Sequence, residues 1–277
     1  MFNMVNAIMA KHKSQPPRRT KSGRANVPSN GHSRAPSRAP KRGEYWIYGT
    51  HAALAALANP ERRKSRVLAT AGFLEAYPDV AGISDVEVVK RAALDDELPE
   101  GAVHQGIAVS SLPLPGLDLE DVLGGLDTAT NICVAVLDQA SDPRNIGAVL
   151  RSAAAFGVSC VIVQDRHAPP ETGAMAKAAS GALEHVAVIR AVNLARTLGE
   201  LKDRGFWCVG LDGSADDVLS ETRLDGPTAL VFGAEGRGLR RLTRETCDIL
   251  AKIPLSENVE SLNLANAVSV ALYEWAR

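Results

Sequence analysis

The chain has 277 residues, 45% of them hydrophobic, and a formal net charge of −1. This length and apolar share can bury the core of one large or two ordinary domains. No apolar run approaches the roughly 18 to 20 residues that cross a bilayer, which argues against a membrane protein. The four cysteines lie far apart without CxxC spacing. They argue against a disulfide framework or a zinc site and favour core residues in a reducing compartment.

The small net charge conceals a basic amino-terminal arm. Residues 1–43 carry ten Lys or Arg residues and no Asp or Glu, so the rest of the chain has a net charge of −11. Few apolar residues follow Ala10, which predicts that the arm is disordered. We interpret it as an electrostatic tether to RNA; the alternative is a passive tail. A bacterial cytoplasmic location is expected, or an organelle matrix if the arm is a transit peptide.

A small α/β domain is predicted over residues 44–110. The segment WIYGTHAALAALANP indicates a short strand or turn and then an amphipathic helix, which Asn59-Pro60 ends. Three short β-favouring runs follow, RVLAT, VEVVK and GIAVS. The unusual segment is VHQGIAV, in which His104 precedes a flexible glycine and a buried strand. A structural role is the commoner one for such a histidine.

The second part of the chain alternates strand and helix patterns. Residues 111–127 combine Pro, Gly and acidic residues and are predicted to form an interdomain linker. After them, the continuous apolar run NICVAVLD is typical of a strand buried on both faces, and NIGAVLRSAAAFG of an amphipathic helix. Five more strand patterns follow. Residues 128–277 therefore predict an α/β domain with about six strands, a mainly parallel sheet and helices on both faces.

Two dense polar and glycine-rich clusters lie between Thr228 and Tyr273. Each of them, FGAEGRGL and IPLSENVESLNLANA, begins where an apolar run stops, as in a ligand site at a strand end. A dinucleotide-binding domain is disfavoured, because the first strand of this part is followed by DQASDPRNIG, without GxGxxG.

Three segments together resemble the signature motifs of the SpoU-type RNA ribose 2′-O-methyltransferases. They are LDQASDPRNIGAVLRSAAAFGV, ALVFGAEGRGL and IPLSENVESLNLANAVSVALY, and the resemblance covers residues 131–277. The amino-terminal part, with YGTHAALAAL and HQGIAV, is similar to the substrate-binding domain of the branch that modifies a guanosine of 23S ribosomal RNA. The resemblance implies a carboxyl-terminal trefoil knot, a homodimer and the cofactor S-adenosylmethionine held in the knot.

The residue types of the two clusters suit a pocket for a large planar cofactor. Methyl transfer from a sulfonium to a ribose hydroxyl needs reactants held in line and requires no metal. Glycines let the backbone approach the cofactor, and apolar side chains supply walls. By resemblance, Gly233, Ile253 and Leu262 contact the cofactor. The full set of candidates is Phe232, Gly233, Gly236, Ile253, Leu255 and Leu262.

The candidate catalytic residues are polar side chains of all three motifs. Arg151 lies in an otherwise apolar helix, where burial would require an anionic partner; an exposed helix arginine is the alternative. The resemblance makes Arg151 catalytic, and we favour phosphate positioning because guanidinium is a poor base. We expect Glu235 to pair with Arg151. The other candidates are Asn145, a possible helix cap, with Ser261 and Asn263, which can bind ribose or cofactor, and more weakly Asn266.

The sequence leaves two alternative functions open. The same reaction on transfer RNA is one, and a non-catalytic RNA-binding factor for ribosome assembly is another. The presence of Asn145, Arg151, Glu235, Ser261 and Asn263 together favours an enzyme.

Overall fold

The computed structural model of the protein describes residues 43–83, 85–125 and 130–277. The expected disordered arm over residues 1–43 lies outside the described residues, except for Gly43. Two sheets organise the described chain, one of four strands and one of seven. Among the described helices, none has both the length and the apolarity that crossing a membrane would need.

The amino-terminal sheet has the strand order β1-β4-β2-β3. Strand β4 is antiparallel to β1 and β2, whereas β3 is parallel to β2. The predicted amphipathic helix is present as α1, with Ala52 to Ala56 buried. The elements are β1 (Tyr45–Tyr48), α1 (Thr50–Ala58), β2 (Lys64–Ala69), α2 (Ala71–Ala76), α3 (Pro78–Ala81), β3 (Val86–Val88), α4 (Arg91–Glu97) and β4 (Ile107–Ser111).

The segment predicted as a linker, residues 111–127, contains a short helix, α5 (Leu119–Gly124). Leu123 in this helix is buried in an apolar cluster of the large sheet. Leu117 forms a parallel bridge to Ile189. The part of this segment that the structure describes therefore packs along the edge of the large sheet.

The second sheet is entirely parallel, with the strand order β7-β6-β5-β10-β8-β11-β9. The predicted mainly parallel α/β fold is confirmed, and the two-residue strand β9 is an addition to the six predicted strands. The elements are β5 (Cys133–Leu137), α6 (Pro143–Phe156), β6 (Cys160–Gln164), α7 (Gly173–Ala179), β7 (Ala187–Ala191), α8 (Leu194–Asp203), β8 (Trp207–Leu211), β9 (Asp217–Val218), β10 (Thr228–Phe232), α9 (Arg241–Thr246), β11 (Ile249–Lys252) and α10 (Leu264–Ala276).

Helices cover both faces of this sheet, as the alternation of residues in β5 demonstrates. Cys133, Ala135 and Leu137 pack into the cluster that contains residues of α6 and α10. Val134 and Val136 point the other way, into the cluster that contains residues of α8. Successive strand residues face opposite sides, so burial on both faces produces the continuous apolar run. The late strand β10 lies between β5 and β8; the implied trefoil knot stays a prediction.

Helices α6 and α10 run side by side in the same direction. Ser152 and Ser269 are hydrogen-bonded with their hydroxyl oxygens 2.7 Å apart. One turn further along both helices, the rings of Phe156 and Tyr273 meet edge to face at 6.3 Å between centroids. Because this register is constant, the first turns of the two helices also lie together.

A buried ion cluster joins the two sheets. The Arg62 guanidinium, between α1 and β2, donates to Glu171 and to Glu184 of the large part, each at 2.7 Å. It also donates to the hydroxyl of Tyr45 at 3.0 Å. The Arg62 side chain is fully buried. One apolar cluster also includes residues of both sheets, so the two sheets share a core.

Candidate functional site

The candidate site lies at the carboxyl ends of three neighbouring strands. Phe232 at the end of β10 is in register with Leu137 of β5 and Leu211 of β8. Parallel strands bring the loops that follow them to one edge of the sheet, where α/β proteins commonly bind ligands. A cleft of about 340 Å³ opens there between the loops after β8, β10 and β11 and the start of α10.

The loop after β10 is a tight turn in which three positions favour glycine. The backbones of Ala234 and Gly238 are doubly hydrogen-bonded, at 2.9 and 3.1 Å. Gly236 and Gly238 adopt φ angles of 75° and 65°, which disfavour side chains. A Cβ atom on Gly233 would lie 2.0 Å from the Gly238 carbonyl carbon. The cleft therefore has a backbone wall.

The buried carboxylate of Asp138 anchors the far end of this loop. Asp138 follows β5 directly, and its side chain is fully buried. One oxygen accepts from the Arg240 side chain at 2.7 Å and the other from the Arg240 backbone N–H at 3.1 Å. Sequence reasoning missed this residue, although an acid directly after a buried strand was a visible signal.

Glu235 connects the three motifs at the mouth of the cleft. Its Oε1 atom accepts from the side-chain amides of Asn145 and Asn263, both at 2.8 Å, and from the Leu264 backbone N–H at 3.2 Å. Asn263 also donates to Asn145 Oδ1 at 3.1 Å. We refer to Asn145, Glu235 and Asn263 as the amide–carboxylate cluster.

Local structure explains why the two asparagines meet. Asn263 caps α10, because its Oδ1 accepts from the Ala265 backbone N–H at 3.0 Å. The cap of α6 is Asp142, not Asn145 as expected, and Pro143 occupies the first helical position. Asn145 therefore lies within the first turn of α6, and its amide donates to Glu235. The parallel register of α6 and α10 places the two asparagines side by side.

All six candidate cofactor residues line the cleft: Phe232, Gly233, Gly236, Ile253, Leu255 and Leu262. Of the candidate catalytic residues, Glu235 and Ser261 also line it. Asn145 and Asn263 reach its mouth through their hydrogen bonds to Glu235. The residues that line the cleft thus combine apolar walls, close backbone and a polar rim.

Arg151 does not form the expected pair with Glu235. It is exposed on α6, it is not part of the cleft lining, and it makes no ion pair within the described residues. Arg151 and Asn145 are six residues apart, so their side chains point about 120° apart around a helix of 3.6 residues per turn. The expected burial with an anionic partner is therefore replaced by the alternative, an exposed helix arginine. Asn266, the weaker candidate, is exposed and also outside the lining.

Two further carboxylates line the cleft and were not selected from the sequence, Asp212 and Glu260. Asp212 follows β8 and contacts Arg244 at 3.2 Å and the Ser214 hydroxyl at 2.6 Å. Burial alone would raise the pKa of Asp212, but the hydrogen bonds from Ser214 and the Arg244 charge lower it below its usual value. The carboxylate therefore stays ionised at neutral pH.

Residues 133–273 match the SpoU rRNA Methylase family. This chain belongs to the SpoU rRNA methylase family. The family match spans the β5-to-α10 region that contains the cleft and the amide–carboxylate cluster.

Named relatives are also similar to this chain over most of its length. The 23S rRNA (guanosine-2'-O-)-methyltransferase RlmB of Vibrio parahaemolyticus is 40% identical over 251 residues, which cover 84% of this chain and 96% of the relative. The protein of the same name from Escherichia coli K12 is 40% identical over 83% of this chain and 97% of the relative. The similarity therefore includes the amino-terminal sheet.

Solved structures share the fold. The SpoU methyltransferase AviRb from Streptomyces viridochromogenes, determined in complex with the cofactor AdoMet, has a TM-score of 0.72 and 23% sequence identity. The match covers 85% of this chain and 90% of AviRb. An RNA 2'-O ribose methyltransferase structure has a TM-score of 0.71 at 23% identity, over 84% of this chain and 88% of that one. These matches support the two-part α/β architecture.

Proposed function

We propose that this protein transfers a methyl group from S-adenosylmethionine to the ribose 2′-hydroxyl of a guanosine in 23S ribosomal RNA. The observation that carries the proposal is the amide–carboxylate cluster at the mouth of a glycine-walled cleft. Family membership and the named relatives supply the substrate class. The relatives named for 23S rRNA are similar to this chain over both of its sheets, which favours ribosomal RNA over transfer RNA.

The cleft fits the cofactor by its shape and chemistry. Gly233 lets the loop fold back on the backbone of Gly238, and Gly236 adds no side chain to the lining, while Phe232, Ile253 and Leu262 provide apolar surface for an adenine ring. When bound, S-adenosylmethionine supplies a methyl group on a positively charged sulfur. The carboxylates of Asp212 and Glu260 in the lining give the cleft negative charge, which suits a cationic cofactor.

The amide–carboxylate cluster has a positioning role in this proposal. A direct displacement needs the attacking oxygen, the methyl carbon and the leaving sulfur in line, and small displacements of the reactants lower the rate strongly. Glu235 fixes the amides of Asn145 and Asn263 with one carboxylate oxygen. Its other oxygen can accept a hydrogen bond from the substrate. Ser261, on the cleft lining, adds a hydroxyl that can donate or accept.

Arg151 holds a phosphate of the RNA in this proposal. Its planar guanidinium carries donors whose geometry matches a phosphate. Exposure on α6 leaves the side chain accessible to RNA.

We further propose a homodimer. Its support is an exposed apolar surface on α10, the helix that packs against α6, where Val270 and Tyr273 are 43% and 59% exposed.

The test is methyl transfer by the full chain with labelled S-adenosylmethionine and a 23S ribosomal RNA transcript. We expect label in 2′-O-methylguanosine, loss of activity in Arg151→Ala, and unchanged cofactor affinity of that variant. Arg196→Ala, an exposed arginine on α8, is the matched control. Label on a base would contradict the mechanism. Label on transfer RNA alone would replace the substrate, and cofactor binding without transfer to any RNA would favour an assembly factor.

A further inference from the structure

A second groove lies on the large sheet, separate from the candidate site. Trp207 and Ile249, the first residues of β8 and β11, line it together with residues of the segment from Asp217 to Asp225. Its volume is about 520 Å³. Leu211, the last residue of β8, lines the cleft of the candidate site, about 13 Å from Trp207 along the strand. We call the second space the tryptophan groove.

The tryptophan groove exposes an aromatic ring. Trp207 is 48% exposed. Val209, two residues further along β8, packs into the cluster that contains residues of α10, and strand residues two apart share a face, so Trp207 points to that side of the sheet. Val218 and Ile249, both partly buried, add apolar surface to the lining. About half of the Trp207 surface is therefore available to a partner.

Carboxylates surround this apolar surface. The lining contains Asp217, Glu221 and Asp225, all exposed, and Arg223 as its one cation. The Arg223 guanidinium already donates to Asp225 at 2.6 Å. Asp217 and Glu221 form no ion pair within the described part of the chain. Two carboxylates of the groove are thus without a counter-charge.

Exposed carboxylates beside a tryptophan ring suit an arginine side chain. The guanidinium group is planar, so it can stack on the face of an indole ring and donate to a carboxylate at the same time. The same carboxylates repel phosphate, so RNA does not fit this groove. The partner that fits by charge and shape is a peptide segment that is rich in arginine and lacks acidic residues.

The amino-terminal arm of this chain is such a segment. Residues 1–43 contain six Arg and four Lys residues and no Asp or Glu, whereas the rest of the chain has a net charge of −11. A flexible chain of this length has a root-mean-square end-to-end distance of about 35 Å. A compact domain of the described size has a radius of gyration of about 17 Å. The arm can therefore reach the groove of its own chain, and its covalent attachment raises its local concentration there.

We propose that the tryptophan groove binds arginines of the amino-terminal arm of the same chain, and that RNA competes with the groove for this arm. Without RNA, an arginine of the arm stacks on Trp207 and pairs with Asp217 or Glu221. When RNA binds, its phosphates replace these carboxylates as partners of the arm. The binding of the arm to the groove is independent of the proposed function, and the competition by RNA rests on it.

The principal test is tryptic cleavage of the arm in the full chain without RNA, followed by mass spectrometry. Asp217→Asn/Glu221→Gln removes the two unpaired carboxylates of the groove. Asp121→Asn/Asp203→Asn is the matched control, because these exposed acids lie on α5 and α8, outside the groove. We expect cleavage within residues 1–43 to become about fivefold faster in the groove variant and to change less than about twofold in the control.

Equal cleavage rates in the groove variant and the wild type would overturn the proposal. An equal rise in both double variants would also overturn it, because only the overall charge would then matter. Trp207→Leu keeps the charge and should accelerate cleavage as well; a wild-type rate would contradict the stacking on the ring. Equimolar addition of a chain lacking residues 1–42 to the groove variant should leave its rate unchanged. Restored protection would assign the groove to the arm of a second copy.

Filter binding to a 23S ribosomal RNA transcript tests the competition. The groove variant should bind about threefold more tightly than the wild type at low salt, because its arm is free to contact phosphates. Removal of residues 1–42 from both proteins should abolish this difference. A difference that persists without the arm would reflect only the loss of negative charge and would overturn the competition. The cleavage assay needs neither RNA nor methyl transfer, so failure of the proposed function is distinguishable from failure of the groove.

Discussion

Two polar networks tie distant parts of this chain together, and they differ in their exposure to water. Arg62 is fully buried between the sheets and has two carboxylate partners, of which Glu184 is also almost fully buried. Glu235 is exposed and has two amide side chains and one backbone N–H as partners. Each network is centred on one charged group, yet only the second is open to a substrate.

The difference separates structural from chemical roles. A buried charge must keep all its partners, because loss of one leaves another charge without water or compensation. Burial raises the pKa of the Tyr45 hydroxyl, and the neighbouring Glu171 raises it further, so Tyr45 stays a neutral donor to that carboxylate. An exposed carboxylate can exchange partners with solvent or substrate. We therefore assign the Arg62 network to the joint between sheets and the Glu235 network to the reaction.

The largest expected effect is on stability, in Arg62→Leu. This change leaves the almost fully buried Glu184 and the partly buried Glu171 without their cation, and the free energy of unfolding should fall by about 3 to 5 kcal/mol. Urea denaturation followed by circular dichroism measures it. The neighbouring exposed residue gives the control, because Arg63→Leu should change stability by less than about 0.5 kcal/mol. Equal losses in both variants would remove the contrast between the two networks.

A smaller effect, on rate and not on stability, is expected for Glu235→Ala. Without the carboxylate the amides of Asn145 and Asn263 lose their common acceptor, and kcat should fall about a hundredfold, which corresponds to about 2.7 kcal/mol. Single-turnover methyl transfer measures the rate. Glu235→Gln retains an acceptor oxygen and should recover part of it. If Glu235→Ala kept the wild-type kcat but lowered stability, Glu235 would have a structural role like that of Arg62.

Asp138 provides an intermediate case, a buried carboxylate whose arginine partner is partly exposed. Asp138→Asn weakens the hold on Arg240 and loosens the loop from Gly233 to Gly238. We expect the dissociation constant for S-adenosylmethionine to rise about tenfold, or about 1.4 kcal/mol, as measured by calorimetry. Arg241→Ala, an exposed arginine in the first turn of α9, should leave it unchanged. Equal affinity of Asp138→Asn and the wild type for S-adenosylmethionine would show that the loop keeps its conformation without the contact between Asp138 and Arg240.

The smallest effect concerns pH. The pKa of Asp212 is lower in the folded protein than its usual value, so its stabilisation is present above the unfolded pKa and is lost as pH falls through the folded pKa. Asp212→Asn should lower stability by about 0.5 to 1 kcal/mol at pH 7. The difference from wild type should disappear in strong acid. Denaturation of both proteins across pH 2 to 7 tests this; a difference that persists at the lowest pH would contradict it.

The cofactor cleft was largely predictable from the sequence, because its residues follow strands that must end at one edge. Gly233, Ile253 and Leu262 belong to loops of a parallel sheet, and parallel strands align their carboxyl ends whatever their order. Arg151 was harder to place. Its helix was predicted correctly, but an amphipathic pattern does not say which neighbour covers each face.

The sequence by itself determined the alternation of strands and helices, the glycine turn after β10 and the chemistry of both loop clusters. These are local properties, because propensity, periodicity and the conformational freedom of glycine act over a few residues. Only the tertiary structure decided that Glu235 binds Asn145 and Asn263, since that contact depends on the parallel packing of α6 and α10. It also decided that Arg62 is buried. The contacts Glu235–Asn145 and Arg62–Glu171 join residues 90 and 109 positions apart in the chain, and at such separations packing selects the partners.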